Sequence, residues 1–209
     1  DLRQFMAEKV EQQGLSSSSL QRLLSAIRQF MKWAEQAQHV SFNPADDFQL
    51  KRQSRPLPGM VDIETIHQIL DQPEPEGEVQ QQMWKRDKTI LELLYSSGLR
   101  LAEIQGLRIK DIDFNRQLLR ITGKGNKTRI VPFGSKAKDS VMAWLQIYPL
   151  WHGDFVPEAH VFITQKGNPL GARQIENRVK LQAQRADVNV DLHPHLLRHC
   201  FASHMLSNS

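Results

Sequence analysis

The stretch HPHLLRHCFASH, residues 193–204, places four histidines and one arginine within twelve positions. Pro194 fits the first turn of a helix, where its missing N–H leaves no bond unmade. At 3.6 residues per turn, Arg198 and His199 fall within about 60° of His195, so the three share one face. Leu196, Leu197, Cys200, Phe201 and Met205 fall on the other side, which is expected to be buried. His204 sits in the middle of that apolar side and reads as a satisfied core histidine. Two chemistries could use the polar face. His195 and His199 have the i, i+4 spacing of a zinc helix, but Leu196 stands where a zinc protease needs Glu, and Arg198 between them would repel a dication. No metal is expected. An Arg and a His near the start of a helix, where unpaired N–H groups and the dipole favour anions, suit a phosphate better.

Two further stretches carry cations in exposed settings. In GLRLAEIQGL, residues 98–107, Arg100 stands two residues after a glycine that ends a helix, where a long side chain can reach into a cleft. In GKGNK, residues 123–127, Lys124 stands between two glycines at a hairpin tip, free to enter a groove. A nucleotide-binding P-loop is excluded, because Leu118 and Gly125 stand where it needs Gly and Ser or Thr. Each cation taken alone is compatible with ordinary solvated surface.

The elements that must position these residues are mostly helical. Leu20, Leu23, Leu24, Ile27, Phe30, Met31 and Ala34 repeat at helical spacing after a cap-rich SSSS, and a shorter helix over about Leu2–Gln12 is closed by Gly14. Two helices make a poor core, which predicts further helices upstream. FNPADDFQLKRQSRPLP, residues 42–58, with three prolines and little periodicity, reads as a linker. Asp62 is an N-cap for a helix to about Leu70. PEPEGE is a loop, MWKRDKTILELLYSSG a helix ending at Gly98, and LRLAEIQGL a short helical turn. QLLRIT and TRIVPF read as two strands joined through GKGNK. Ser135 opens a helix to about Tyr148, HVFIT (160–164) reads as a short strand, and 171–186 as a helix. The expected fold class is mainly α with a small antiparallel β-sheet, α+β.

Composition narrows the partner. The 209 residues carry a net charge of only +4, but the charge is segregated. Six acids and no Lys or Arg lie between Asp62 and Glu78, ten bases against three acids between Arg100 and Lys138, and five bases against Glu176 alone between Lys166 and Arg185. Such segregation suggests a face for a polyanion. No run of eighteen apolar residues exists, so no membrane span is expected. Cys200 is the only cysteine, which excludes an internal disulfide and suits a reducing cytoplasm. The start at DLRQFMAEKV, without an initiator Met, and the stop at SNS predict a segment cut from a longer protein.

The combination is more specific than its parts. GLRLAEIQGL, the GKGNK hairpin and HPHLLRHCFASHML together resemble the tyrosine recombinases, also called the phage integrase family. They are most similar to its Xer type, and HPHLLRHCFASHML points to the XerC group more than the XerD group. The resemblance implies a partial helical, SAM-like core-binding domain over 1–45, a linker over 46–58, and a C-terminally truncated catalytic domain over 59–209. It implies metal-free cutting and rejoining of DNA through a 3′-phosphotyrosyl link, with no cofactor. Arg100 and Arg198 would hold the scissile phosphate, His195 would assist through a hydrogen bond, and Lys124 would protonate the leaving 5′-oxygen. Glu103 and His199 would support the site. The family's second histidine and its nucleophilic tyrosine fall beyond residue 209, and neither Tyr95 nor Tyr148 matches the nucleophile's position. The implied partners are double-stranded DNA with a specific recombination site and a XerD-like recombinase in a heterotetramer, acting in chromosome dimer resolution at cell division. The alternatives are a non-catalytic DNA-binding protein on an integrase fold, or a phage or integron integrase.

Overall fold

In the computed structural model, residues 2–48, 50, 61–123, 125 and 127–207 are described. The chain divides into two compact units, Asp1–Pro56 and Leu57–Ser209.

In the first unit, α1 (Leu2–Gln13) ends at Gly14, whose φ of 57° lets the chain reverse. The next helix, α2 (Ser17–Gln36), is capped by Ser16, whose hydroxyl accepts from the Ser19 N–H at 3.3 Å. The serine run is therefore the cap and first turn of the helix and does not lie ahead of it. Met6, Leu20 and Leu24 meet Ala45, with Leu2, Ile27, Phe48 and Leu50 packed around them. Phe30 and Trp33 remain more than half exposed. The chain after α2 is not free: Arg28 donates to the carbonyls of Ala45 (2.9 Å) and Phe48 (2.5 Å). The expected linker over 46–58 thus begins with residues packed on α2, and its remainder, 49 and 51–58, lies outside the described residues.

The second unit is built around α4 (Glu78–Ser97), which buries Ile90, Leu91, Leu93 and Leu94 in succession and so is covered on every side along its second half. It packs against α6 (Ser135–His152), α7 (Ala172–Arg185) and α8 (Pro194–Ser207), while α3 (Ile63–Leu70), capped by the Asp62 carboxylate, packs on α4 and α7. A short helix α5 (Leu101–Gly106) follows α4 directly, and β1 (Ile112–Asp113), β2 (Leu118–Thr122) and β3 (Thr128–Pro132) form one antiparallel sheet in that order. The register sets Leu119 opposite Val131 and Ile121 opposite Arg129. The fold is mainly α with one small antiparallel sheet.

A buried ionic knot fixes α4 to α7. Asp87, 1% exposed, accepts from Arg86 at 2.7 and 3.0 Å, from Arg178 at 2.5 Å and from Gln182 at 3.3 Å. The third hydrogen bond of Arg86, to the Ile163 carbonyl at 3.1 Å, ties in the 160–164 segment.

Four differences from the sequence reading have physical causes. HVFIT is not a sheet strand: it forms single bridges only, Arg108 with His160 and Ile163 with Pro169. Its carbonyls are taken by side chains, His160 by the Tyr148 hydroxyl (2.9 Å), Val161 by the Trp144 indole (2.8 Å) and Ile163 by Arg86. The helix α6 continues through Pro149 to His152, because Trp151 donates to Gln82 (2.9 Å) and packs edge-on against Trp144. The helix α4 starts at Glu78, five residues before Met83, in a polar turn that apolar periodicity cannot register. Met205, expected on the buried side of α8, is 59% exposed.

Candidate active site

The site grows from the end of α4. Gly98 closes that helix in the left-handed region (φ 57°), and a Cβ added there would lie 2.4 Å from the Phe201 ring of α8. Only glycine gives both the turn and the close approach of α8. Leu99 is fully buried, which turns Arg100 outward, with its side chain 61% exposed.

Arg100 is also the N-cap residue of α5. Its backbone N–H donates to Glu103 Oε2 at 2.8 Å, and its guanidinium reaches Oε1 at 3.0 Å. Glu103 thus reaches back over the helix start as in a capping box. The same carboxylate receives the fork of Arg129 from β3, at 2.7 Å on Oε1 and 2.8 Å on Oε2. Burial of Glu103, whose side chain is 4% exposed, acts to raise its pKa. The bonds from Arg129 and from the backbone and guanidinium of Arg100 outweigh burial and bring it down to about 2. The sign of the linkage follows: the ion-paired Glu103 stabilises the fold fully above about pH 4.5, its ordinary value, and that contribution is lost as pH falls toward about 2. Acid titrations of the chain and of Glu103→Gln, followed by circular dichroism, are expected to diverge across this window. Parallel curves would contradict the assignment.

The second half of the site comes from α8. The ring Nδ1 of His193 accepts the Leu196 N–H at 3.1 Å, capping the helix and assigning the proton to Nε2. Arg198 donates from Nη1 to the carbonyl of Gly98, so its guanidinium rests on the turn that presents Arg100. His193, His195, Leu196, Arg198, His199 and Ala202 line one cleft, with His195 exposed and Arg198 and His199 half-buried. The structure thereby joins Arg100 and Glu103 to Arg198 through Gly98, and His195 and His199 to Arg198 through the cleft. The β2–β3 connection also starts here, since a Cβ built on Gly123 would lie 3.9 Å from Glu103 Oε1. Lys124, expected at the tip of that connection, lies outside the described residues.

His204, expected in the core, is only half-buried but is hydrogen-bonded through both ring nitrogens, with Nδ1 3.0 Å from the Tyr95 hydroxyl and Nε2 3.1 Å from the Val61 carbonyl. Tyr95 and Tyr148 are both engaged through their hydroxyls, and burial pushes both phenols up in pKa, away from phenolate. Among the described residues no three His, Cys, Asp or Glu side chains stand close enough to hold one metal ion, and no helix is long and apolar enough to cross a membrane. Much of the basic character between 100 and 138 is neutralised locally: Arg108 and Lys110 pair with Glu158, Arg120 with Asp111, and Lys136 with Asp71. Sequence reasoning passed over Arg129. Its signal lay in the strand period, which places Arg129 with Val131 on the half-buried face while Ile130 points outward.

Comparison with known proteins gives a consistent answer. The model of the phage integrase family matches residues 60–209, and that of the phage integrase N-terminal SAM-like domain matches residues 1–38. The chain is 41% identical over all 209 residues to the tyrosine recombinase XerC of Pseudomonas syringae pv. syringae, covering 67% of that protein. It is 39% identical over 207 residues, 98% of its length, to XerC of Haemophilus influenzae, again covering 67%. Among solved structures, XerH bound to a palindromic difH substrate aligns with 99% of the chain and 61% of its own at a TM-score of 0.76 and 21% identity. The Tn1549 transposon integrase in complex with circular intermediate DNA aligns with 97% and 71% at a TM-score of 0.74 and 19% identity. These two show a shared fold.

Proposed function

The chain belongs to the phage integrase family, as a Xer-type tyrosine recombinase similar to XerC, and from that premise we propose how its site handles DNA. The scissile phosphate lies between Arg100 and Arg198. The observation that carries this reading is the guanidinium of Arg198 seated on the Gly98 carbonyl, beside the turn that presents Arg100.

In this reading both arginines bind the nonbridging oxygens and stabilise the charge that shifts onto them in the pentavalent transition state. Arginine suits the task because its planar fork stays charged and can hold two oxygens. His195, exposed in the same cleft, adds a hydrogen bond. A tyrosine oxygen bonds to phosphorus, the bond to the 5′-oxygen breaks, and Lys124 gives that oxygen its proton. The 3′-phosphotyrosyl link conserves the bond energy, and the free 5′-hydroxyl later attacks a partner strand. Glu103 positions Arg100, and His199 supports Arg198. The nucleophile is neither Tyr95 nor Tyr148, so the 209 residues by themselves are cleavage-incompetent. The biological role in this reading is chromosome dimer resolution at cell division, in the cytoplasm, on a specific DNA site within a heterotetramer with a XerD-like recombinase.

The test uses a nicked suicide duplex with a Xer-type site. It compares this chain with one lengthened to the full extent of its XerC relatives, scoring adducts that survive SDS. The lengthened chain is expected to form the adduct and the 209-residue chain none. An adduct on Tyr95 or Tyr148 would refute the assignment of the nucleophile. Binding by the lengthened chain without any covalent capture would favour a non-catalytic DNA-binding module.

A further inference from the structure

We infer that Arg129 is a positioning residue of the recombinase site, acting through Glu103 to hold Arg100 in register with the β2–β3 hairpin. The inference rests on the reading of the Arg100–Arg198 pocket given above.

Arg100 has a side chain 61% exposed, with many rotamers, and ordering it costs entropy before it can hold an oxygen. Its only ion pair among the described residues is with Glu103. Glu103 can hold it only if the carboxylate plane is itself fixed, and four hydrogen bonds do that. Arg129 donates one to each oxygen, and Arg100 donates one from its backbone and one from its guanidinium. The two Arg129 bonds are charge-assisted and bidentate, so they set the plane's orientation as well as its position. Arg129 stands on β3 opposite Ile121 of β2, and Gly123, which opens the hairpin connection, lies against the same carboxylate. One buried anion therefore fastens the hairpin to the start of α5. A lysine at 129 would keep the charge but could not fork both oxygens.

A second consequence separates positioning from mere stability. With Arg129 present, Glu103 stays ionised down to about pH 2, so its protonation is invisible at any working pH. Without Arg129 the desolvation of Glu103 is left opposed by Arg100 alone, and the carboxyl titrates at higher pH. Protonated Glu103 holds Arg100 less firmly, so the variant should lose rate progressively toward acid pH.

The experiment measures single-turnover adduct formation on the nicked suicide duplex, in the lengthened chain, from pH 5 to pH 8. Arg129→Ala is expected to slow capture about 10- to 100-fold, as for a displaced catalytic group, with a new loss of rate on the acid side. Arg129→Lys should recover part of the rate, and Glu103→Gln added to Arg129→Ala should remove the acid loss. Thermal melts of each variant show how much is folded. A wild-type rate in Arg129→Ala, or a fall equal at all pH values that tracks a lowered melting temperature, overturns the inference. Arg198→Ala runs beside them: if it retains the full rate, the pocket reading itself fails and the role of Arg129 with it. If it is inactive while Arg129→Ala is normal, the inference alone fails.

Discussion

Replacing Arg198 with alanine in the lengthened chain is expected to slow covalent capture of DNA by about a hundred- to a thousandfold, the usual loss when one preorganised donor to a developing charge is removed. The guanidinium is half-buried and already fixed on the Gly98 carbonyl, so its orientation is set before DNA arrives. The loss should therefore appear mainly in the rate of capture at saturating DNA, with a smaller effect on duplex affinity, which many other phosphate contacts share. Arg198→Lys should recover little, because an ammonium cannot span two oxygens while also meeting the carbonyl. Equal rates for the wild type and Arg198→Ala would remove this residue from the mechanism.

The second large effect is on stability. Asp87→Ala should lower the unfolding free energy by about 3–5 kcal/mol, the range for removing one partner of a buried ion pair. Asp87 accepts from Arg86, Arg178 and Gln182, and Arg86 is itself only 4% exposed. Without the carboxylate, the Arg86 guanidinium keeps the Ile163 carbonyl and the face of Trp151 but no counter-charge. Urea unfolding followed by tryptophan fluorescence reads this directly, since Trp84, Trp144 and Trp151 all lie in the second unit. A loss below about 1 kcal/mol, the scale of a surface pair, would show that the knot contributes little.

The local geometry of the candidate site is the most legible part of the chain. The arginine face of α8 and the glycine that ends α4 follow from helical spacing and from turn chemistry, both local properties. The 160–164 segment shows where local reading stops. Its apolar, β-branched run has strand character, but its carbonyls bond to Tyr148, Trp144 and Arg86, residues 12 to 77 positions away in sequence. The end of α6 is similar, with a proline held inside the helix by the contacts of Trp151. Charge segregation overstated the open basic surface for the same reason, because Glu158 lies outside the basic segment yet neutralises Arg108 and Lys110. Arg129 was hidden by neighbours: with Ile130 and Val131 adjacent, the sequence does not say which faces inward, and so does not say which face the arginine shares.

In the proposed mechanism the Gly98–Arg100 turn and the first turns of α8 bind one phosphate. A double-mutant cycle on the rate of adduct formation tests it most directly, with Arg100→Ala, Arg198→Ala and the double variant in the lengthened chain. Groups that act as a unit on one transition state are strongly non-additive. With one shared phosphate, the double variant is expected to be slower than the worse single variant by no more than about tenfold. Losses that multiply in full would mean that the two arginines act independently, and would contradict a shared pocket.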